Sequence, residues 1–323
     1  MKLEETYDLV VVGGGINGAG IARDAAGRGL KVLLVERDDL ASHTSSWSSK
    51  LIHGGLRYLE YYEFRLVREA LIEREVLLKA APHIIWPLTF VLPHSPVQRP
   101  AWLVRIGLFL YDHLGGREKL AGSKGVDLSA PGPYGDPLQD WVKKGFTYSD
   151  CWVMDSRLVV LNAMDAIERG ASVLTRTGCT KAVRNGNLWQ IELEDAFTGS
   201  RRTVAARGMV NAAGPWVSSF LKEGVGQDTA KKRVRLIKGS HIVVPKLFDH
   251  GYAYIFQNTD NRIVFTIPYE HSYTLIGTTD LDYDGDPAAV VATDDETRYL
   301  CDLANRFFRK KITPSDVVWS YSG

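Results

Sequence analysis

The feature that most constrains this chain lies near its start: Gly13-x-Gly15-x-x-Gly18, set between an apolar run at residues 7–12 and a small-residue stretch continuing through Ala26. Glycines at that spacing permit a tight turn, close approach of backbone to a pyrophosphate, and close packing of the helix that follows. The unpaired N–H groups of that helix's first turn then point at the phosphates. A second apolar run at residues 32–35 completes one βαβ unit. Glu36 closes it eighteen residues beyond Gly18, where a carboxylate accepts hydrogen bonds from ribose hydroxyls and disfavours a 2′-phosphate. Gly13, Gly15, Gly18 and Glu36 are therefore candidate contacts to a dinucleotide. NAD and FAD share the pattern, so these residues alone do not choose between them.

The rest of the chain has the texture of a two-domain protein. A Ser/Thr-rich loop at residues 42–49 leads to His53-Gly54-Gly55. Periodicity predicts a helix over 63–81, with Val67, Ala70, Leu71, Leu77 and Leu78 on its apolar side and Pro82 stopping it. Residues 93–141 are rich in proline and glycine, and only 102–114 has helical character. Asp155 is expected to cap a helix ending near Gly170. Residues 171–211 alternate apolar and polar around turn signals at Asn185-Gly186 and Thr198-Gly199, which predicts a meander returning to the first domain. It ends on Val210-Asn211-Ala212-Ala213-Gly214-Pro215-Trp216, which suits backbone pressed against an extended cofactor as well as an ordinary strand-to-helix turn. Residues 234–280 hold four strand-like runs without intervening helices, the pattern of an antiparallel second domain. A helix over 294–311 and a strand-like run at 317–319 follow.

Composition narrows the function classes. Lys and Arg number 39 against 38 Asp and Glu, so no global charge points to nucleic acid. Cys151, Cys179 and Cys301 are odd in number and lack metal-ligand spacing, which speaks against a disulfide framework and a metal site and for a reducing compartment. The first residues are polar and acidic, without the look of a secretory or transit peptide, so a cytoplasmic chain is expected. No apolar stretch reaches the ~20 residues that span a bilayer. The nearest, 101–114, is interrupted by Arg105 and Asp112.

The segment Ser45-Ser46-Trp47-Ser48-Ser49-Lys50-Leu51-Ile52-His53-Gly54-Gly55-Leu56-Arg57-Tyr58-Leu59 resembles the signature of FAD-dependent glycerol-3-phosphate dehydrogenases. So do Gly13-Gly14-Gly15-Ile16-Asn17-Gly18-Ala19-Gly20, Arg99-Pro100-Ala101-Trp102, Tyr148-Ser149-Asp150-Cys151-Trp152, Leu236-Ile237-Lys238-Gly239-Ser240-His241 and Ile276-Gly277-Thr278-Thr279-Asp280. The resemblance covers nearly the whole chain. It implies an α/β fold: a Rossmann-like FAD-binding domain of the glutathione-reductase/D-amino-acid-oxidase type over 1–90 and 146–233. A mainly antiparallel-sheet substrate domain takes 91–145 and 234–323. It also implies a helical C-terminal domain beyond residue 323, so a truncated chain is expected, as is doubtful independent activity. Oxidation of glycerol 3-phosphate by FAD, with electrons passed to quinone, is the implied activity. A glycerol-3-phosphate oxidase using oxygen, or an FAD-binding module without turnover, are the alternatives. The implied setting is peripheral, on the inner face of the cytoplasmic membrane, with a homodimer possible.

Several roles follow from the resemblance. Besides the dinucleotide residues, Asn17, Arg37, Ser45, Ser46, Ser49, Lys50, Leu51, His53, Val183, Ala212, Ala213, Gly214 and Trp216 are the implied FAD contacts, with Lys50 favouring an anionic reduced flavin. Oxidising a secondary alcohol further needs a base and cations that hold the phosphate. Arg57 suits bidentate phosphate binding, although an internal ion pair would use it equally. Tyr58, His53 and Thr279 are further substrate candidates, and His241, as an imidazole titrating near neutrality, is the candidate base. Trp102, Ile106, Phe109 and Leu110 are apolar positions of one helix flanked by Arg99 and Arg105; a buried core helix is the preferred reading over a membrane face.

Overall fold

The computed structural model describes residues 6–95, 99–227, 234–258, 260 and 262–323, in two units. The expected boundary at 233/234 touches residues outside that set. Unit one comprises Met1–Ser48, Met154–Leu236 and Asp284–Ala289. Its six-stranded sheet runs Ser172–Leu174, Val32–Val35, Thr6–Val12, Arg201–Asn211, Leu188–Asp195, Thr177–Asn185. The first four strands pair in parallel and the last two extend them as an antiparallel meander.

Strand composition explains this core. Val32–Val35 is buried at all four residues, as expected of a parallel strand covered on both faces. Val11, Val32 and Leu34 pack against Ala22, Ala25 and Ala26 of the helix Ile16–Gly27. Tyr7, Val10, Val12, Leu33 and Val35 pack with Ile191, Leu193 and Val204 of the meander. Small residues let the two helices approach closely, Ala19 against Val159 and Ala163 of Asp155–Glu168. The cap of that second helix is Met154. Asp155 sits one residue inside, where its carboxylate accepts from the Ser156 N–H at 2.8 Å and the Ser48 hydroxyl at 2.7 Å. The first meander turn is also one residue later than expected: Asn185 pairs with Leu188, so Gly186 and Asn187 make the turn, with Gly186 at φ +57°.

Unit two comprises Ser49–Val153, Ile237–Tyr283 and Val290–Gly323. Its nine-stranded sheet runs Trp319–Ser322, Ser240–Pro245, Tyr273–Gly277, Ile263–Tyr269, Ala253–Gln257, Ile85–His94, Lys144–Val153, Leu51–Ile52, with Lys124–Asp127 also on Lys144–Val153. All pairings are antiparallel except Ala253–Gln257 on Ile85–His94. Ile85–His94 and Lys144–Val153 pair along their whole length, which keeps both in unit two; the sequence reading divides each between the domains.

The helix Asp294–Phe307 covers this sheet through Leu300, Leu303, Ala304 and Phe307. Thr293 caps it in a reciprocal box with Glu296. It ends short of residue 311 because Phe308 turns extended and buries its ring in the same core. The helix Ala101–Leu114 departs from its expected core role: only Leu108 and Tyr111 are buried, while Trp102, Ile106 and Phe109 are 66%, 48% and 52% exposed. Among the described residues no helix is long and apolar enough to cross a membrane, and no cluster could hold a metal ion.

Candidate functional site

In unit one the glycine turn opens a pocket of about 430 Å³. Gly13 stands at φ +111°, and a Cβ there would lie 2.4 Å from the Ala212 carbonyl oxygen. A Cβ on Gly18 would lie 1.8 Å from the Gly13 carbonyl oxygen, so helix and turn meet at a distance only glycine permits. Gly15 is the N-cap and no acidic side chain occupies the first turn, so the positive helix end is left for an anion. Ser45 Oγ accepts the Ile16 N–H at 3.0 Å. The Glu36 carboxylate is fixed by the N–H groups of Gly14, at 2.6 Å, and Asp38, at 2.7 Å, with lone pairs remaining for ribose hydroxyls.

Arg37, Ala212, Ala213, Gly214 and Trp216 line the same pocket. The Arg37 guanidinium lies 5.2 Å from the Trp216 ring centre, and His43 meets that ring edge-on at 4.6 Å. His43 is held by Asp38 at 2.8 Å, and this bond lowers the Asp38 carboxyl. Four expected contacts of this unit lie outside the lining: Gly18, Asn17, Ser46 and Val183. Asn17 is exposed, Ser46 donates its hydroxyl to the His43 carbonyl at 3.1 Å, and Val183 is 46% exposed. Gly178, Cys179 and Thr180, from the same strand as Val183, take the wall, together with Asp38, His43 and Phe220. Only His43, within the Ser/Thr loop, offers a sequence signal for these.

In unit two His241 is 4% exposed, with Nε2 2.8 Å from Ser49 Oγ and its ring stacked on Tyr321 at 4.7 Å. A Cβ on Gly277 would lie 2.1 Å from His241 Cδ2, so glycine is required opposite the ring. Nδ1 is buried without a hydrogen-bond partner. Burial, and then the charge of Lys50, push the imidazole down to about 3, which overturns the expectation that it titrates near neutrality. Lys50 itself is 9% exposed, at φ +57°, with Nζ 5.5 Å from the Tyr321 ring centre.

His53 is exposed, and its Nδ1 accepts the Gly55 N–H at 3.2 Å, so the neutral ring carries its proton on Nε2 and presents a donor. Arg57 is partly exposed, 3.9 Å from Asp280 and 3.4 Å from the Tyr61 hydroxyl; Tyr58 is 47% exposed. Leu51 is half-buried, opposite Trp152 in the sheet. Thr279 departs from its expected substrate role. Its hydroxyl accepts the Ser240 N–H and donates to Glu296 Oε1, both at 2.9 Å, in the interior. Burial raises the Glu296 carboxyl, but hydrogen bonds from Lys238, the Thr293 backbone, Ser240 and Thr279 outweigh it and hold the group at about 2. The Lys238 ammonium lies 2.6 Å from Glu296 Oε2.

A second buried network joins Ser149 and Asp150 of the 148–152 motif to Arg74 and Tyr111, partners that the motif itself does not reveal. Arg74 Nη1 donates to Asp150 Oδ1 at 2.7 Å and to the Ser149 carbonyl at 3.0 Å, and the Tyr111 hydroxyl lies 2.8 Å from the same carboxylate. One signal existed: Arg74 falls on the helix stripe of Val67, Leu71 and Leu78, where an apolar residue is expected.

A glycine turn at a helix N-terminus, an acid closing the second strand and a parallel strand core define the class, a dinucleotide-binding fold. The chain belongs to the FAD dependent oxidoreductase family, whose model matches residues 8–323. It is 60% identical, over its whole length, to D-erythritol 1-phosphate dehydrogenase of Brucella abortus, of which it covers 64%. It is 56% identical, over 99% of its length, to aerobic glycerol-3-phosphate dehydrogenase of Escherichia coli, of which it covers 63%. The chain thus spans less than two thirds of these relatives. Its fold matches glycerol-3-phosphate dehydrogenase from Bacillus halodurans complexed with FAD at TM-score 0.76, with 30% identity, over 99% of this chain and 57% of that one. L-alpha-glycerophosphate oxidase from Mycoplasma pneumoniae, 18% identical, shares the fold at TM-score 0.76, over 99% of this chain and 83% of that one.

Proposed function

We propose that the chain carries the FAD-binding part of an enzyme that oxidises sn-glycerol 3-phosphate to dihydroxyacetone phosphate in glycerol catabolism, with a quinone as the final electron acceptor. What supports the substrate class is the short segment that carries His53, exposed with a donor left at Nε2, the partly exposed Arg57 and the exposed Tyr58, groups suited to a phosphate, in a chain whose relatives are named for phosphorylated polyols. Gly13, Gly15 and Gly18 would let the backbone meet the pyrophosphate, Glu36 would bind ribose, and Arg37, Ser45, Ala212–Gly214 and Trp216 would hold the rest of the cofactor. Asn17, Ser46, Ser49, Lys50, Leu51, His53 and Val183 remain proposed cofactor neighbours. When bound, FAD supplies the acceptor for the hydride that leaves the alcohol carbon.

Arg57 binds the phosphate and fixes the alcohol's orientation. Tyr58 and His53 donate to substrate oxygens. His241 receives the hydroxyl proton. It is neutral at physiological pH and so ready to accept, at the cost of driving force, because its acid form is held down to about 3. The exposed Trp102, Ile106 and Phe109, with Arg99 and Arg105 beside them, support peripheral contact with the inner face of a membrane, where quinone resides.

A second reading, D-erythritol 1-phosphate as substrate, is favoured by the 60% identical relative. The test is the visible spectrum of the protein as encoded in full, recorded anaerobically. Flavin absorbance is expected to bleach with glycerol 3-phosphate and not with glycerol, and Arg57→Ala to raise the required concentration at least about tenfold, the loss of one charged hydrogen bond. Bleaching with erythritol 1-phosphate alone would select the second reading. No bleaching with either would refute both.

A further inference from the structure

The His53-Gly54-Gly55 turn is held from beneath by a buried relay. A phenol has one proton, and that of Tyr111 is directed to Asp150, 2.8 Å from Oδ1 and 3.0 Å from Oδ2. Its lone pair therefore meets the Gly54 N–H, at 2.7 Å. Shape pins the same residue, since a Cβ on Gly54 would lie 2.4 Å from Leu71 and 2.9 Å from the Tyr111 ring. Asp150 is in turn clamped by Arg74, and Arg74, Tyr111 and Asp150 are each 3% exposed or less. Buried ion pairs add little net stability compared with packed apolar residues of the same volume. A charge cluster on an apolar stripe is better explained by the geometry it enforces.

We infer that Tyr111 and Asp150 are positioning residues that set the His53-Gly54-Gly55 turn, and through it the placement of His53 and Arg57 toward a phosphorylated substrate. The role in substrate binding rests on the function proposed above; the clamp on the turn does not. Removing the Tyr111 hydroxyl leaves a buried N–H without its acceptor and a carboxylate without one donor, and the turn shifts to recover them.

The experiment compares Tyr111→Phe with Tyr254→Phe in the flavin-loaded protein. Tyr254 is equally buried in the same unit, with its hydroxyl 3.0 Å from His250 and from the Tyr134 carbonyl, far in sequence from the turn. Tyr111→Phe is expected to speed amide exchange in residues 51–58 about tenfold, and to raise KM for glycerol 3-phosphate about tenfold while kcat changes far less. Tyr254→Phe is expected to lower Tm comparably and to move neither reading. Asp150→Asn, which keeps an acceptor for Tyr111 but loses the charge that holds Arg74, is expected to act in the same direction. It decides the matter should Tyr111→Phe fail to fold. Unchanged exchange in 51–58 in both variants, or an equal change in Tyr254→Phe, overturns the inference. The exchange reading needs no substrate, so it stands even if neither polyol phosphate is oxidised, which would refute only the proposed function.

Discussion

Acidification from pH 7 to pH 5 will destabilise this protein through His241. The imidazole is held at about 3 in the folded chain against 6.5 ordinarily, so below pH 6.5 the unfolded chain takes up a proton that the folded chain refuses. Stability is therefore complete above 6.5 and is lost as pH falls towards 3, at about 1.4 kcal/mol per pH unit once well below 6.5. Between pH 7 and pH 5 the loss from this one residue is about 2 kcal/mol. Urea unfolding followed by tryptophan fluorescence measures it, with wild type and His241→Gln compared at both pH values. The variant should lose about 2 kcal/mol less than wild type over that interval, whatever its stability at pH 7. His250, also lowered by burial, acts equally in both proteins and cancels. Glu296, held at about 2 against 4.5 ordinarily, loses its contribution only as pH falls below 4.5, outside the interval. Equal losses in the two proteins would show that His241 titrates in the ordinary range, and the account of its surroundings would be wrong.

Two further predictions concern other parts of the molecule. Gly18→Ala places a methyl group 1.8 Å from the Gly13 carbonyl oxygen, so the purified variant should lack visible flavin absorbance, while a normal flavin content would refute the close approach. Lys238→Met strands the buried Glu296 carboxylate and should cost about 3–5 kcal/mol, whereas the double variant Lys238→Met/Glu296→Gln, which removes the stranded charge and keeps an acceptor for Ser240 and Thr279, should recover part of that loss; urea midpoints of the two variants decide it.

The parts of this molecule that were legible in the sequence are those governed by local sterics. Gly13, Gly15 and Gly18 carry their own explanation, because turn, helix start and strand lie within a few residues of one another. The placement of Glu36 at the end of a fully buried strand was readable for the same reason. What was not legible depends on distant partners. His241 is neutralised by surroundings that include Ser49 and Lys50, almost two hundred positions earlier, and Tyr321, eighty positions later. Thr279 looks like ordinary turn chemistry until the helix carrying Glu296 delivers a carboxylate to it. The expected domain boundaries cut through Ile85–His94 and Lys144–Val153, whose pairing no window of neighbouring residues contains. The exposure of Trp102, Ile106 and Phe109 is not legible because amphipathic spacing reports that a helix has an apolar side, not that anything covers it.

The pairing of Thr6–Val12 with Arg201–Asn211 has a consequence for biosynthesis. Its other neighbour, Val32–Val35, leaves the ribosome soon after it, but this partner follows about 200 residues later, which at translation rates of roughly 5–20 residues per second is a wait on the order of 10–40 s. During that time the nascent chain carries an apolar strand with one open edge, the kind of template that recruits other strands. Holdase chaperones that shield such edges should therefore govern the yield of this protein more than its final stability does, and slowing translation should lengthen the exposure.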